Sequence, residues 1–137
     1  MYIGSSGTFY NFKLRCCHTG LTALTNNFTT NYGGNTPVQV YNRSSQYIAA
    51  ASDAWFGFDF DTPFAYDGTS NLIIEVDWNT DSGGYAYGRA NSVASRFVHS
   101  ANGGMPYVQS YLHYQRITIG AVGVAPTSLG RVKSMYR

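Results

Sequence analysis

The sequence predicts an all-β protein: an antiparallel two-sheet sandwich, jelly-roll-like, with a short C-terminal arm. The supply of residues is the first observation, because the 137-residue chain has 12 Tyr, 8 Phe and 12 Thr but only two Lys and one Glu. Aromatic and β-branched side chains favour strands, whereas most strong helix formers are scarce here. The second observation is about eight short runs of alternating polarity, separated by turns rich in Gly, Asn and Pro, which is typical of sandwiches.

The chain has the length of one domain. We expect residues 1–125 to form the sandwich and residues 126–137 to form a docking arm. The alternation stops at Pro126, and Leu129, Val132 and Met135 then recur three residues apart. A segment this short is not stable alone, so Tyr136 and Arg137 at its end are expected to dock with it against another surface.

The first predicted strand, residues 8–17, alternates clearly. Tyr10, Phe12, Leu14 and Cys16 are predicted to face the core, and the charged positions between them to face solvent. Neighbours on a strand point to opposite faces, which predicts one buried thiol and one exposed thiol at Cys16 and Cys17 rather than a disulfide between them. Residues 18–36 are predicted to form a long ordered loop, with a short helical turn through Leu21, Leu24 and Phe28 as the alternative.

Further strands are predicted from the same periodicity. Residues 54–60 place Phe56, Phe58 and Phe60 on one face, and residues 71–78, the clearest strand, alternate Leu, Ile, Val and Trp with Ile, Glu and Asp. A glycine-rich turn is expected at residues 81–84. The other predicted strands are residues 38–41, 85–90, 96–100, 107–114 and 116–124.

A distinctive string links the third and fourth of these strands. It reads PFAYDGTSNL, from Pro63 to Leu72. Proline fixes φ and stops a ladder, Asp-Gly makes a turn, and asparagine can bond its own backbone at the start of a strand. Two aromatic residues of the string are spaced to close one end of the core. The string is therefore expected to be structural, and its residues are Pro63, Phe64, Tyr66, Asp67, Gly68 and Asn71.

This string, with the strands on either side of it, resembles a family of poorly characterised secreted bacterial β-sandwich modules found in surface or extracellular proteins. Residues 19–32, residues 38–41 and, more weakly, residues 128–133 are similar to that family as well. The resemblance implies a role in adhesion, surface display or assembly, without a settled activity. It also implies strands before Phe9; only seven residues precede residue 8 here, so we expect a groove that a neighbouring subunit fills by strand addition.

Catalysis and metal binding are not expected. Glu75 and Asp77 share one strand face about 7 Å apart, but a solvated face, or pairing with Arg89 or Arg116, explains them better than an acid–base pair. The three histidines lack metal-ligand spacing. Calcium at Asp59, Asp61 and Asp67 is an open alternative, although no loop motif supports it. We therefore predict no enzyme, no cofactor and no metal.

The run at residues 84–90 is the candidate for binding another molecule. Alternation places Tyr85, Tyr87 and Arg89 on one face and small residues on the other. Such a face suits a contact between subunits, and stacking of surface glycans is the alternative. The predicted subunit interface consists of Tyr85, Tyr87, Arg89, Leu129, Val132, Met135, Tyr136 and Arg137.

The charge pattern favours association between copies of the chain. Charged residues make up only 12% of the chain and the net charge is +2, with the cations scattered, so neither a nucleic-acid partner nor strong repulsion between copies is expected. No apolar run is long enough for a membrane span. The sequence predicts a structural, self-assembling subunit of an extracellular filament or surface layer, its signal peptide removed or upstream; the alternative is a secreted carbohydrate-binding or adhesion module.

Overall fold

The computed structural model describes residues 6–49, 56–82, 90–99, 105 and 107–113. Almost all the regular structure in these residues is strand. The elements in chain order are β1 (Gly7–Thr19), α1 (Phe28–Asn31), β2 (Val38–Ile48), β3 (Asn71–Asp77), β4 (Thr80–Asp81), β5 (Ala90–His99) and β6 (Tyr107–His113).

The long strand β1 lies at the centre of a four-stranded antiparallel sheet. It pairs along one edge with β2 and along the other with β3 and then β4. On the β2 side the register shifts by one residue between Leu14 and Arg15, which leaves Val40 without a partner opposite it. Such an extra residue bends the strand that carries it. A second antiparallel pair joins β5 to β6, so the predicted all-β class is confirmed for the described residues.

The alternation of β1 changes phase at Asn11. Gly7 and Phe9 are buried before it, whereas Phe12 and Leu14 are buried after it. Asn11 has φ of 52°, in the left-handed region that asparagine tolerates better than most residues. Tyr10 is consequently 43% exposed, and the prediction that it shares the core face of Phe12 is wrong.

The core lies on one face of this sheet. Its buried members are Phe9, Phe12, Leu14, Cys16, Val40, Tyr41 and Ile48. Phe56, Phe58 and Phe64 cover part of this face from the connection between β2 and β3. Phe58 stacks on Phe12 with ring centroids 5.2 Å apart and meets Tyr41 edge-on at 5.3 Å.

Two predictions in this region need correction. Residues 56–60 form no strand, and Phe60 is exposed rather than inward; the Phe-x-Phe spacing packs rings on the core without a ladder. The thiols of Cys16 and Cys17 are both buried, each 2% exposed, and both are free. Loop 20–35 packs against the sheet face opposite the core at the C-terminal end of β1. This explains why Cys17, the thiol expected to be exposed, is covered.

Loop 20–35 is ordered by its own polar contacts and by contacts with β1. It contains the short helix α1, which begins at Phe28, whereas the helical turn that the sequence left as the alternative was expected through Leu21, Leu24 and Phe28. Asn27 caps α1 by accepting from the Thr30 N–H. Buried Asn31 accepts from Thr25 through its side chain, and its carbonyl accepts from the Thr19 hydroxyl at 2.9 Å. The loop thereby covers the end of the outer face, defined here as the sheet face opposite the core.

Candidate functional site

Three surfaces of the described chain bring polar or aromatic side chains together. The first is the PFAYDGTSNL string, which docks on His18 of β1. The His18 ring contacts Phe64 at 4.8 Å between centroids and stacks on Tyr66 at 5.7 Å. Its Nε2 accepts from the backbone N–H of Asp67 at 3.2 Å. Tyr66 therefore packs against His18, and Phe64 also contacts the core.

The carboxylate of Asp67 organises the turn. Oδ1 accepts from the N–H groups of Thr69 and Ser70, and Oδ2 accepts from the Ser70 hydroxyl at 2.6 Å. These bonds, the Ser70 hydroxyl first among them, hold the pKa of Asp67 well below its usual range. Gly68 follows with φ of 74°, which fits the turn expected at Asp67-Gly68.

Asn71 differs from its expected role. Its side-chain Nδ2 donates to the carbonyl of Leu21 at 2.9 Å, fifty residues away in the chain, instead of bonding its own backbone. The string thus contacts both β1 and loop 20–35. These contacts attach the string to the folded unit.

The second surface is an ion-pair network on the outer face. Arg15 donates to Glu75 at 2.8 Å and to Asp77 at 3.1 Å, so the two carboxylates that share a strand face are bridged by one guanidinium. Tyr32 of loop 20–35 donates its hydroxyl to the other Glu75 oxygen at 2.7 Å. Burial, and then this bond to Glu75, raise the pKa of Tyr32. Within the described residues the cations are Arg15 and, for Asp77, also Lys13, whereas the predicted partners Arg89 and Arg116 lie outside the described residues.

The third surface is the outer edge of β2. Within the described residues β2 pairs only with β1, so it ends the sheet. Residues 61–62 cover one part of this edge: the Val40 carbonyl accepts from the Asp61 N–H at 2.8 Å, and Asn42 N–H donates to the Asp61 carboxylate. Arg43 holds the same carboxylate with two bonds, of 2.6 and 2.8 Å. The hydrogen bond from Arg43 lowers the pKa of Asp61.

The other part of this edge, from Ser44 to Tyr47, has no such cover among the described residues. We call it the open edge. Inside it, the Gln46 side chain donates to the Tyr47 carbonyl. The open edge contains neither Lys nor Pro, the residues that commonly block strand addition.

Two exposed tyrosines lie on the outer face and were missed by the sequence prediction. Tyr47 is 59% exposed and Tyr10 is 43% exposed. Thr8 is opposite Tyr47 and Tyr10 is opposite Ser45, which places both tyrosines on one face. The signal that could have found Tyr10 is Asn11, a residue type that tolerates left-handed backbone and so permits a change of phase.

The calcium alternative finds no support in the described residues. They contain no group of three or more His, Cys, Asp or Glu side chains that could hold a metal ion. Asp61 is bound to Arg43, and Asp67 is bound within its own turn. The two carboxylates thus serve separate local structures.

The predicted subunit interface lies outside the described residues. This holds for Tyr85, Tyr87 and Arg89 and for the whole arm, residues 126–137. Their assignment stays a prediction.

Comparisons with known proteins give no relative. No protein-family model, curated protein or solved structure matches the chain significantly. The resemblance of the PFAYDGTSNL string to secreted bacterial modules thus stays a prediction. Separately, the only helix among the described residues, α1, is far too short to cross a membrane.

Proposed function

We propose that this protein is a structural, self-assembling subunit of an extracellular filament or surface layer, in which copies associate through strand-edge pairing and the C-terminal arm. The observation that carries the proposal is the open edge of β2. An unprotected strand edge presents backbone donors and acceptors to another chain. A second copy satisfies them by adding a strand to the sheet.

The charges around this edge favour association of like copies. Arg43, the one charged side chain of β2, is neutralised by Asp61. Two copies therefore meet at this edge with little electrostatic repulsion. The scarcity of Lys in the whole chain acts in the same direction.

The proposal is tested by placing positive charge on the open edge. The Ser44→Lys/Ser45→Lys variant changes two exposed side chains, and paired lysines on each copy repel and block strand addition. We expect the unaltered chain to form polymers by negative-stain microscopy and analytical ultracentrifugation, and this variant to stay monomeric.

The matched control is Thr22→Lys/Thr30→Lys, which adds the same charge on exposed positions of loop 20–35. This control should polymerise like the unaltered chain. An unaltered chain that stays monomeric at high concentration would refute self-assembly, and equal polymerisation of both variants would refute the role of the open edge.

The arm is tested separately by deleting residues 126–137. We expect soluble monomers whose thermal unfolding midpoint matches that of the full chain, because the arm is proposed to dock on a neighbour rather than on its own sandwich. Polymers of unchanged stability would reject its role.

A carbohydrate-binding or adhesion module of a secreted protein is the second candidate function. The specific observation in its favour is the pair of exposed tyrosines on the outer face, Tyr10 and Tyr47. Tyrosine presents a broad apolar ring with a polar hydroxyl, which suits ligands that are partly apolar and partly hydroxylated.

A further inference from the structure

We infer that the outer face around Tyr10 and Tyr47 is a binding site for a neutral oligosaccharide. This inference does not depend on self-assembly, and it assigns the second candidate function to residues other than the predicted Tyr85 and Tyr87. The occupant is identified by three properties of the face: its aromatic spacing, its charge and its backbone.

The spacing comes from the register of β1 and β2. Tyr10 is opposite Ser45, so Tyr47 is its diagonal neighbour two residues along. Diagonal positions on one face lie about 7–8 Å apart, close enough for long side chains to act together. Two exposed rings at this separation form a platform for neighbouring sugar rings, whose C–H groups pack on aromatic faces.

The side chains around the platform are neutral hydrogen-bonding groups. The register places Thr8, Ser45, Asn42 and Thr80 on the same face, and their hydroxyls and amide match sugar hydroxyls. The charged residues that the register places on this face are paired: Lys13 with Asp77 at 3.9 Å, and Arg15 with Glu75 and Asp77. The described part of the face thus offers no net charge to attract an anionic polymer such as a nucleic acid.

The backbone supports a functional role for Tyr10. With regular alternation Tyr10 would point into the core beside Phe12. The left-handed conformation of Asn11 instead turns Tyr10 to the surface and keeps Phe9 and Phe12 buried. A sparsely populated backbone conformation that exposes a large aromatic ring is an observation from which function is inferred.

Loop 20–35 defines the limit of the site. It covers the outer face near Thr19 and Tyr32, where Tyr32 bonds Glu75. The other end of the outer face, around Tyr10, has no cover among the described residues. The platform therefore faces solvent directly and suits a chain-like ligand that lies along the sheet.

The test uses the full chain and isothermal titration calorimetry with cellohexaose, chitohexaose and maltohexaose. We expect at least one of these to bind. Tyr10→Ala and Tyr47→Ala should each weaken that binding by about tenfold or more, and the double variant should abolish it. Tyr10→Phe and Tyr47→Phe should keep most of the affinity because the rings remain.

The control is Phe60→Ala, which removes an exposed ring from another part of the surface and should leave binding unchanged. Circular dichroism establishes that the variants are folded. Failure of all three sugars to bind, or equal binding by the double alanine variant, overturns the inference. Loss of self-association instead of sugar binding in that variant, measured by ultracentrifugation, also overturns it and identifies the face as a contact between copies.

Discussion

At the scale of single residues, Asp67 shows how one carboxylate stabilises a turn. It accepts from two backbone N–H groups and one hydroxyl, all within three residues of itself. These donors stabilise the ionised form, so the pKa of Asp67 is lower in the folded chain than in the unfolded chain. The same turn contains the Asp67 N–H, which donates to His18.

This difference in pKa predicts an acid-dependent loss of stability. A depressed folded-state pKa contributes stability that is present above the ordinary aspartate value of about 4 and is lost as the pH falls further, toward the folded value. We expect the unfolding temperature of Asp67→Asn to lie below that of the unaltered chain at pH 6, and the gap to narrow as the pH falls below about 4.

Thermal unfolding followed by circular dichroism between pH 6 and pH 2 checks this expectation. Asp59→Asn is the matched control, since Asp59 is an exposed carboxylate in the same connection between β2 and β3. A gap for Asp67→Asn that stays constant over the whole range would contradict the assignment.

Single residues also differ in how far their roles could be predicted from the sequence. The turn at Asp67-Gly68 was predictable because its residues act on their immediate neighbours. The inversion at Asn11 was not, because alternation counts positions and assumes that every residue keeps extended backbone. One left-handed residue moved Tyr10 to the opposite face from the one predicted.

At the scale of elements, loop 20–35 is attached to the sheet by side chains rather than by a ladder. Thr19 holds the Asn31 carbonyl, Asn71 holds the Leu21 carbonyl, and Tyr32 holds Glu75. One of these bonds joins the loop to the end of β1, and the other two join it to β3. The loop therefore belongs to the folded unit.

The Tyr32–Glu75 bond gives this attachment a measurable effect. Tyr32→Phe removes a hydrogen bond to a charged, half-buried acceptor, and we expect a loss of about 1–2 kcal/mol in the free energy of unfolding. Urea denaturation measures it. Tyr47→Phe removes a hydroxyl from an exposed ring and should change stability by less than about 0.5 kcal/mol; equal losses in the two variants would show that Tyr32 does not attach the loop.

The phenylalanines after β2 are a second test at this scale. Phe58 packs on Phe12 and Tyr41, whereas Phe60 is exposed. Phe58→Ala should therefore destabilise the fold by about 2–3 kcal/mol, and Phe60→Ala by less than about 1 kcal/mol.

Urea denaturation again separates the two variants. If residues 56–60 formed the predicted strand with all three rings inward, both substitutions would be costly. Similar losses in the free energy of unfolding of the two variants would indicate that residues 56–60 do form that strand.

Elements were predictable to different degrees, for a physical reason. The strand at residues 71–78 was placed within one residue of β3, because Leu72, Ile74, Val76 and Trp78 recur at every second position of the sequence. The strand at residues 38–41 was predicted too short, since polar Asn42 to Gln46 continue β2 without an apolar repeat. Where one face of a strand is buried, apolar residues recur at every second position of its sequence. An edge strand that is mostly exposed lacks this pattern.

At the scale of the whole molecule, residue supply was enough to predict the all-β class. The scarcity of helix formers is a property of the whole chain, so predicting the class from it does not require knowing how the strands pair. The packing of one sheet on another, the jelly-roll order and the extracellular location stay predictions, because they depend on contacts between distant segments or on the surroundings of the protein.

The candidate surfaces were the least predictable part for the same reason. Glu75 and Asp77 were recognised as neighbours, yet their partner Arg15 comes from β1, sixty residues earlier. The open edge of β2 follows from strand order, which one sequence does not contain. The tyrosine pair of the outer face depends on both strand order and the inversion at Asn11.

The contact between Arg43 and Asp61 has a consequence for when this protein associates. Both side chains are well exposed, so dissolved electrolyte weakens their attraction. High ionic strength should loosen the Asp61 carboxylate from Arg43 and from the Asn42 N–H, while the backbone bond from Asp61 to the Val40 carbonyl persists. The part of the β2 edge that can pair with another chain would then be longer. Polymers should therefore grow faster at high ionic strength than at low ionic strength.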